Sequence, residues 1–274
     1  MSITNRTLPP VEPARVDELA RLRRPQISTV LGTIIVAAVV VSAFQVSQLS
    51  GSAIVAGVPN ILDFVSRMFP PDWSELGTAV ALMWETIGIA VTGTAVGMIL
   101  AVPCALLAAR NVYPHPWVRL PVRFLINVVR SIPELMWALL FVSAVGLGAM
   151  AGTLAVIVGT TAGVARLLAD IFEAADMRAW EAAAATGARR SQRISWVLLP
   201  QHIPTLASYG LLVLDGNIRA ASLLGLVGAG GIGLELNNQL RLFNYGAVLT
   251  IVLVVLVVVM ALDQISAYLR MKLV

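Results

Sequence analysis

The chain has one lysine, one cysteine and two histidines in 274 residues, and only 12% of it is charged. Soluble domains carry about 25% charged residues, so an ordinary solvated globule is excluded. Lys272 is followed by Leu273, so the chain lacks the G-x-x-x-x-G-K-[ST] loop that cradles nucleotide phosphates. Cys104 alone excludes an internal disulfide, and with His115 and His202 it leaves too few ligands for a closed zinc site. What fills the chain instead is apolar: 58% hydrophobic residues and a mean hydropathy of +0.85. This is the composition of an integral membrane protein. The net charge of +4 then says less about partners than the position of each charge does.

A helix needs roughly 20 apolar residues to cross about 30 Å of hydrocarbon. Six such spans are predicted, at about 27–47, 82–109, 124–145, 151–169, 206–227 and 246–265. The last, with its run from Val248 to Met260, is rich in β-branched residues, but in lipid an unclosed strand leaves its backbone unpaired, so helix is expected. The fold class is all-α and polytopic. Fourteen of the 19 basic residues fall in the N-terminal tail, the second and fourth loops and the C-terminus, against Arg67 and Arg241 in the other loops. That asymmetry predicts cytoplasmic termini, which require an even number of spans. The first apolar run exceeds a signal-peptide core and is expected to be a retained anchor. Asn60 to Phe69 gathers Ile61, Leu62, Val65, Met68 and Phe69 on one helical face, as in a short helix lying in the outer interface. Pro70-Pro71 stops it and Trp73 sits at headgroup level. No internal repeat divides the sequence: residues 1–26 form a cytoplasmic tail and 27–274 one transmembrane domain.

Residues 170–205 form the one long cytoplasmic excursion, and long ordered loops usually carry function. Ala179 to Thr186 is mostly strong helix formers, Gly187 permits a reversal, and Arg189, Arg190 and Arg193 charge the segment beyond it. Pro200 and Pro204 punctuate the return to the membrane. Composition allows either a compact helix–turn–helix with a small face for a partner or a plain solvated hairpin.

The spacing narrows this. Glu181-Ala182-Ala183, three residues, Gly187, nine residues, then Val197-Leu198-Leu199-Pro200 resembles the E-A-A signature loop of permease subunits of ABC importers, with Val197 where the family usually has isoleucine. Phe69 to Trp73, Arg130 to Ala138, Asn217 to Gly225 and Val227 to Gly233 resemble the phosphonate-transport branch. The resemblance covers most of the chain from residue 60 onward. It implies the type I importer permease fold in a bacterial inner membrane and a coupling helix carrying Glu181, Ala182, Ala183, Gly187, Arg189, Arg190, Leu199 and Pro200. It further implies a homodimer of this chain, two cytoplasmic ATPase subunits that hold the ATP and Mg, and an external binding protein. The cargo would be phosphonate, phosphite or phosphate. No cofactor would bind this chain, and it would catalyse no reaction itself. An importer for another solute such as methionine is the near alternative; an ion-driven transporter or a non-transporting anchor would leave the E-A-A loop or the intramembrane arginines unexplained.

Ionisable residues inside spans cost at least about 2.5–3.5 kcal/mol, so each needs a partner or a function. Asp215 and Arg219, Arg130 and Glu134, and Arg166 and Asp170 each lie at i,i+4, the spacing of a helical ion pair. Structural pairing accounts for all three. Guanidinium forks also match phosphoryl oxygens, so Arg130 and Arg219, with Glu134, Asp215 and Asn217, are candidates for the pathway or its gate. Gly228, Gly230 and Gly231 belong to a G-x-G-x-x-G match that follows a membrane span rather than a strand, which argues against a dinucleotide site. It reads as close backbone approach at the outer mouth, an external gate, or as a plain loop. Gly93-x-x-x-Gly97 and Gly159-x-x-x-Gly163 predict close helix approach. His115 and His202 are expected to be interfacial contacts rather than ligands.

Overall fold

The computed structural model describes residues 27–47 and 50–273. The predicted tail, with Arg6, Arg15, Arg21, Arg23 and Arg24, lies outside the described residues. All described secondary structure is helical, and the chain divides into two units, Met1–Phe64 and Val65–Val274.

The first unit contains α1 (Ile27–Val46), the predicted first span, with no buried residue among those described. It also holds most of α2 (Gly51–Arg67). The short helix expected from Asn60 is therefore longer at its start and runs through Pro59, and it ends before Pro70-Pro71 as expected.

In the second unit, Asp72 opens the long helix α3 (Leu76–Ala108) through a single 3-10 turn at Trp73–Glu75. Asp72 Oδ1 accepts from the Ser74 backbone N–H at 3.0 Å and from its hydroxyl at 2.6 Å. These bonds hold the exposed carboxyl below the usual carboxylate range. Then come α4 (Pro116–Ser131), α5 (Glu134–Val145) and α6 (Ala149–Ala174). The predicted third span at 124–145 is thus corrected: it is two helices bent by 88°. Proline disfavours helical backbone in the residue before it, and Ile132 is extended (φ −90, ψ 122) ahead of Pro133. At 12 residues α5 is about 18 Å long, too short to cross alone. Five helices are long and apolar enough to span, or six if the bent pair counts as one span.

After α6, α7 (Arg178–Ala185) and α8 (Arg190–Arg193) lead through a π-helical stretch at Ile194–Leu198 into α9 (Leu199–Leu224). Within the predicted excursion at 170–205, α6 runs on to Ala174 and helix is continuous again from Arg190. Pro200 follows the π-helical stretch at Ile194–Leu198 without breaking the helix, which runs on from Arg190 to Val227. Finally α10 (Ile232–Arg241) and α11 (Tyr245–Leu273) close the unit.

Small residues set the packing. Cβ atoms built on Gly93 and Gly97 would fall 2.5 Å from Val156 and 2.7 Å from Thr160, so α3 lies tight against α6 as the first small-residue pair predicts. In the second pair Gly159 faces the Glu134 side chain at the start of α5, and Gly163 has nothing within 4 Å. One core cluster, with Met83, Ile89, Val156, Ile232 and Ile251, lies toward the glycine-loop end. The other, with Leu168, Phe172, Trp180 and Leu198, lies toward the E-A-A end.

Candidate coupling surface and membrane pathway

The E-A-A segment is α7 and its turn. Asp176 Oδ1 accepts the Arg178 N–H at 3.0 Å and starts the helix. Gly187, at φ +83, ends it: its N–H bonds Ala184 O and the Ala188 N–H bonds Ala183 O at 3.2 Å. That is the left-handed helix stop that favours glycine, so the expected reversal is there with its cause. Glu181 and Ala182 are exposed and Ala183 is half-buried, while Trp180 turns inward. Arg193 lies over the Trp180 ring at 4.6 Å and Arg190 over Tyr113 at 4.8 Å, which ties the second arm to the first and to the loop after α3. Arg189 is exposed, its N–H held by Gln192. Leu199 packs on the core cluster there, and Pro200 is exposed. Ala183, Gly187, Arg193, exposed Trp196 and their neighbours line a groove of about 600 Å³ on the open side.

The base of this hairpin is fixed by a group that sequence spacing did not suggest. Glu173, at the end of α6, accepts from Arg123 Nη2 at 2.6 Å and from the Arg110 N–H at 2.7 Å. Arg123 also donates to Ala108 O at 2.9 Å, and Asn111 to Phe172 O at 2.6 Å.

Near the middle of α6 the structure gathers the span-level polar residues. Asn217 is buried and donates to Thr94 and Thr160 at 2.8 Å each, so α9 is tied to α3 and α6. Glu134 lies against Gly159, one residue from Thr160. The Arg130–Glu134 pair is not formed: the bend at Ile132-Pro133 takes the two off a common helix, and Arg130 is exposed with no carboxylate partner among the described residues. Arg166 and Asp170 do pair, at 3.3 Å.

Asp215 and Arg219 pair at 2.6 Å, and Asp263 of α11 joins them at 3.0 Å. Asp263 is a second residue missed by local spacing. It was visible only as a lone carboxylate in an apolar run.

At the opposite end from the hairpin, Gly228, Gly230 and Gly231 all have positive φ and are buried. Gly228 O accepts the Gly148 N–H at 2.9 Å. Glu85 and Thr86 of α3 accept the N–H groups of Gly231 and Ile232 at 3.1 and 2.9 Å. Glu85, too, is a lone carboxylate in a predicted span. No strand precedes the loop among the described residues, so it is not a βαβ phosphate turn. His115 is exposed, and His202 is buried with Nδ1 at 2.8 Å from Leu198 O and its ring on Phe172. No group of three metal-ligating side chains occurs among the described residues.

Residues 101–273 match the family described as binding-protein-dependent transport system inner membrane component. The phosphate-import permease protein PhnE of Mycolicibacterium smegmatis is 38% identical over 85% of this chain and 44% of its own length. The chain thus spans less than half of that relative. The phosphite transport system permease protein PtxC of Stutzerimonas stutzeri is 35% identical over 89% of this chain and 87% of its own. A probable D-methionine transport permease of Vibrio cholerae is 28% identical over 69% of this chain. Among solved structures, a chain of the MetNI methionine ABC transporter superposes with a TM-score of 0.63, at 21% identity, over 74% of this chain and 99% of its own.

Proposed function

We propose, because this chain belongs to the family of binding-protein-dependent transport system inner membrane components, that it carries phosphonates or kindred phosphorus oxyanions, phosphite and phosphate included, into the cell. It is a multi-pass inner-membrane permease subunit of an ABC importer. The observation that carries the coupling role is the E-A-A hairpin. Its Gly187 stop leaves Glu181, Ala182 and Trp196 facing outward beside a groove, a surface suited to a cytoplasmic ATPase that binds the ATP and Mg. Two copies of this chain, two ATPases and an external binding protein make up the working assembly, and both termini are cytoplasmic. Motion of the hairpin is the output of ATP hydrolysis on the partner and the input to the spans.

Within the spans an anion needs a guanidinium or oriented N–H donors. Arg130 serves, because no carboxylate neutralises it among the described residues. Arg219 is already taken by Asp215 and Asp263. The phosphorus cargo is supported by likeness to phosphate and phosphite permeases at 35–38% identity. Methionine is the second reading, favoured by the D-methionine relative.

The test is ATP-dependent uptake into proteoliposomes that hold this chain with its co-purifying ATPase and binding protein. Methylphosphonate, phosphite, phosphate and methionine are compared, with Glu181→Arg as the uncoupled control. Uptake of a phosphorus oxyanion, lost in the control, is expected. Uptake of methionine alone would discard the cargo, and no uptake by an assembled, ATP-hydrolysing complex would discard the importer.

A further inference from the structure

Glu85 lies in α3, a span-length helix, yet forms no ion pair among the described residues. A carboxylate at such a site is costly without compensation. Its partner is the Gly231 N–H at 3.1 Å, and the next residue, Thr86, accepts the following N–H, of Ile232, at 2.9 Å. Those two N–H groups begin α10, whose N-cap residue, Gly231, offers no side-chain acceptor. A helix start leaves its first N–H groups unpaired and carries partial positive charge. Glu85 and Thr86 therefore cap α10 from another helix.

The glycines make the approach possible. A Cβ on Gly230 would fall 2.6 Å from Ala149 N and 2.9 Å from Glu85 Oε1, and one on Gly231 would strike Thr86 Oγ1. The loop is thus wedged between the third turn of α3 and the start of α6, and its positive φ values, +91, +79 and +69, favour glycine.

We infer that Glu85 and Thr86 latch the glycine loop closed at the outer mouth of the pathway, and that the transport cycle releases this latch. The inference rests on the importer reading given above. The physical logic is that of hydration. While the mouth is dry, the Glu85 charge has only the α10 N-terminus to compensate it, so letting go leaves an unpaired carboxylate. When the mouth opens and fills with water, water replaces the N–H partners and release becomes cheap. Closure is therefore the default, and the loaded binding protein with ATP must work against it. Glu85 is a gating residue that acts through the loop and need not touch cargo.

The experiment uses the complete complex in proteoliposomes and reads ATP hydrolysis without binding protein, together with oxyanion uptake per ATP. Glu85→Ala and Thr86→Val each remove one acceptor, so binding-protein-independent hydrolysis is expected to rise about threefold to tenfold. Uptake per ATP should fall to match. Glu85→Gln keeps an acceptor oxygen without the charge and should fall between. Wild-type hydrolysis in both Glu85→Ala and Thr86→Val would overturn the latch. So would a parallel loss of hydrolysis, uptake and thermal stability, which marks a structural cap alone. If Glu85→Ala fails to assemble, Thr86→Val, which loses one hydroxyl, decides. Failure of the importer reading looks different: the unmutated complex would then take up none of the four solutes.

Discussion

Glu173→Gln removes one charge at the base of the coupling hairpin with almost no change in volume. Glu173 and Arg123 side chains are 14% and 25% exposed and meet at 2.6 Å, and the same carboxylate oxygen accepts the Arg110 N–H. The Arg110 guanidinium is 3.6 Å from the other oxygen and 70% exposed, so that contact adds little. A hydrogen bond to a charged group contributes about 1.5–3 kcal/mol. Stranding a fully buried partner costs about 3–5 kcal/mol. Arg123 keeps a bond to Ala108 O at 2.9 Å and some access to water, so the cost falls at or below the bottom of that range. Glu173→Gln should therefore cost about 2–3 kcal/mol. Reversible unfolding of the purified chain in mixed micelles measures it, and a cycle with Arg123→Met isolates the pair. A coupling energy of about 1.5 kcal/mol or more is expected. A loss under about 0.5 kcal/mol with no coupling would mean the staple contributes no more than a surface pair, and the account of the hairpin base would fail.

Gly97→Ile should separate α3 from α6, since even a Cβ there falls 2.7 Å from Thr160 and 3.2 Å from Ile157 O. A loss of about 1–3 kcal/mol in the same unfolding assay is expected, with Gly163→Ala, which meets nothing, as the silent control. Arg130→Gln should leave stability unchanged but raise the half-saturating oxyanion concentration by about tenfold or more, the loss of a charge-assisted bond. Unaltered uptake kinetics would remove Arg130 from the pathway.

The sequence was informative wherever the controlling interaction is local or set by lipid. A hydrocarbon core demands about 20 apolar residues, and α1, α3, α6, α9 and α11 fall where the apolar runs predict. Gly187 was legible because a helix stop is decided within five residues. The third span misled because mean hydropathy over 124–145 records composition and not direction; the bend is written in Ile132-Pro133 alone. Spacing found Asp215–Arg219 and Arg166–Asp170, but it fails across a kink, as at Arg130 and Glu134. It was silent on partners 44, 50 and 146 residues apart: Asp263 with Arg219, Glu173 with Arg123, Glu85 with Gly231.

Those distant contacts decide which arginine is available to an anion. The sequence places Arg130, Arg166 and Arg219 inside apolar runs and treats each as one turn from a carboxylate. In the folded chain Arg166 keeps its partner, Arg219 gains a second, and Arg130 loses its only one. Arg219 is bound on both nitrogens, at 2.6 Å to Asp215 and 3.0 Å to Asp263. An oxyanion reaching it must displace two carboxylates and meet their repulsion at close range. Arg130 presents no such barrier. It also sits in the last turn of α4, where the helix C-terminus favours a cation, beside the break in the bent pair. Pro133 thus has two effects at once: it bends the pair, and it parts Arg130 from Glu134, which leaves Arg130 without a carboxylate partner among the described residues.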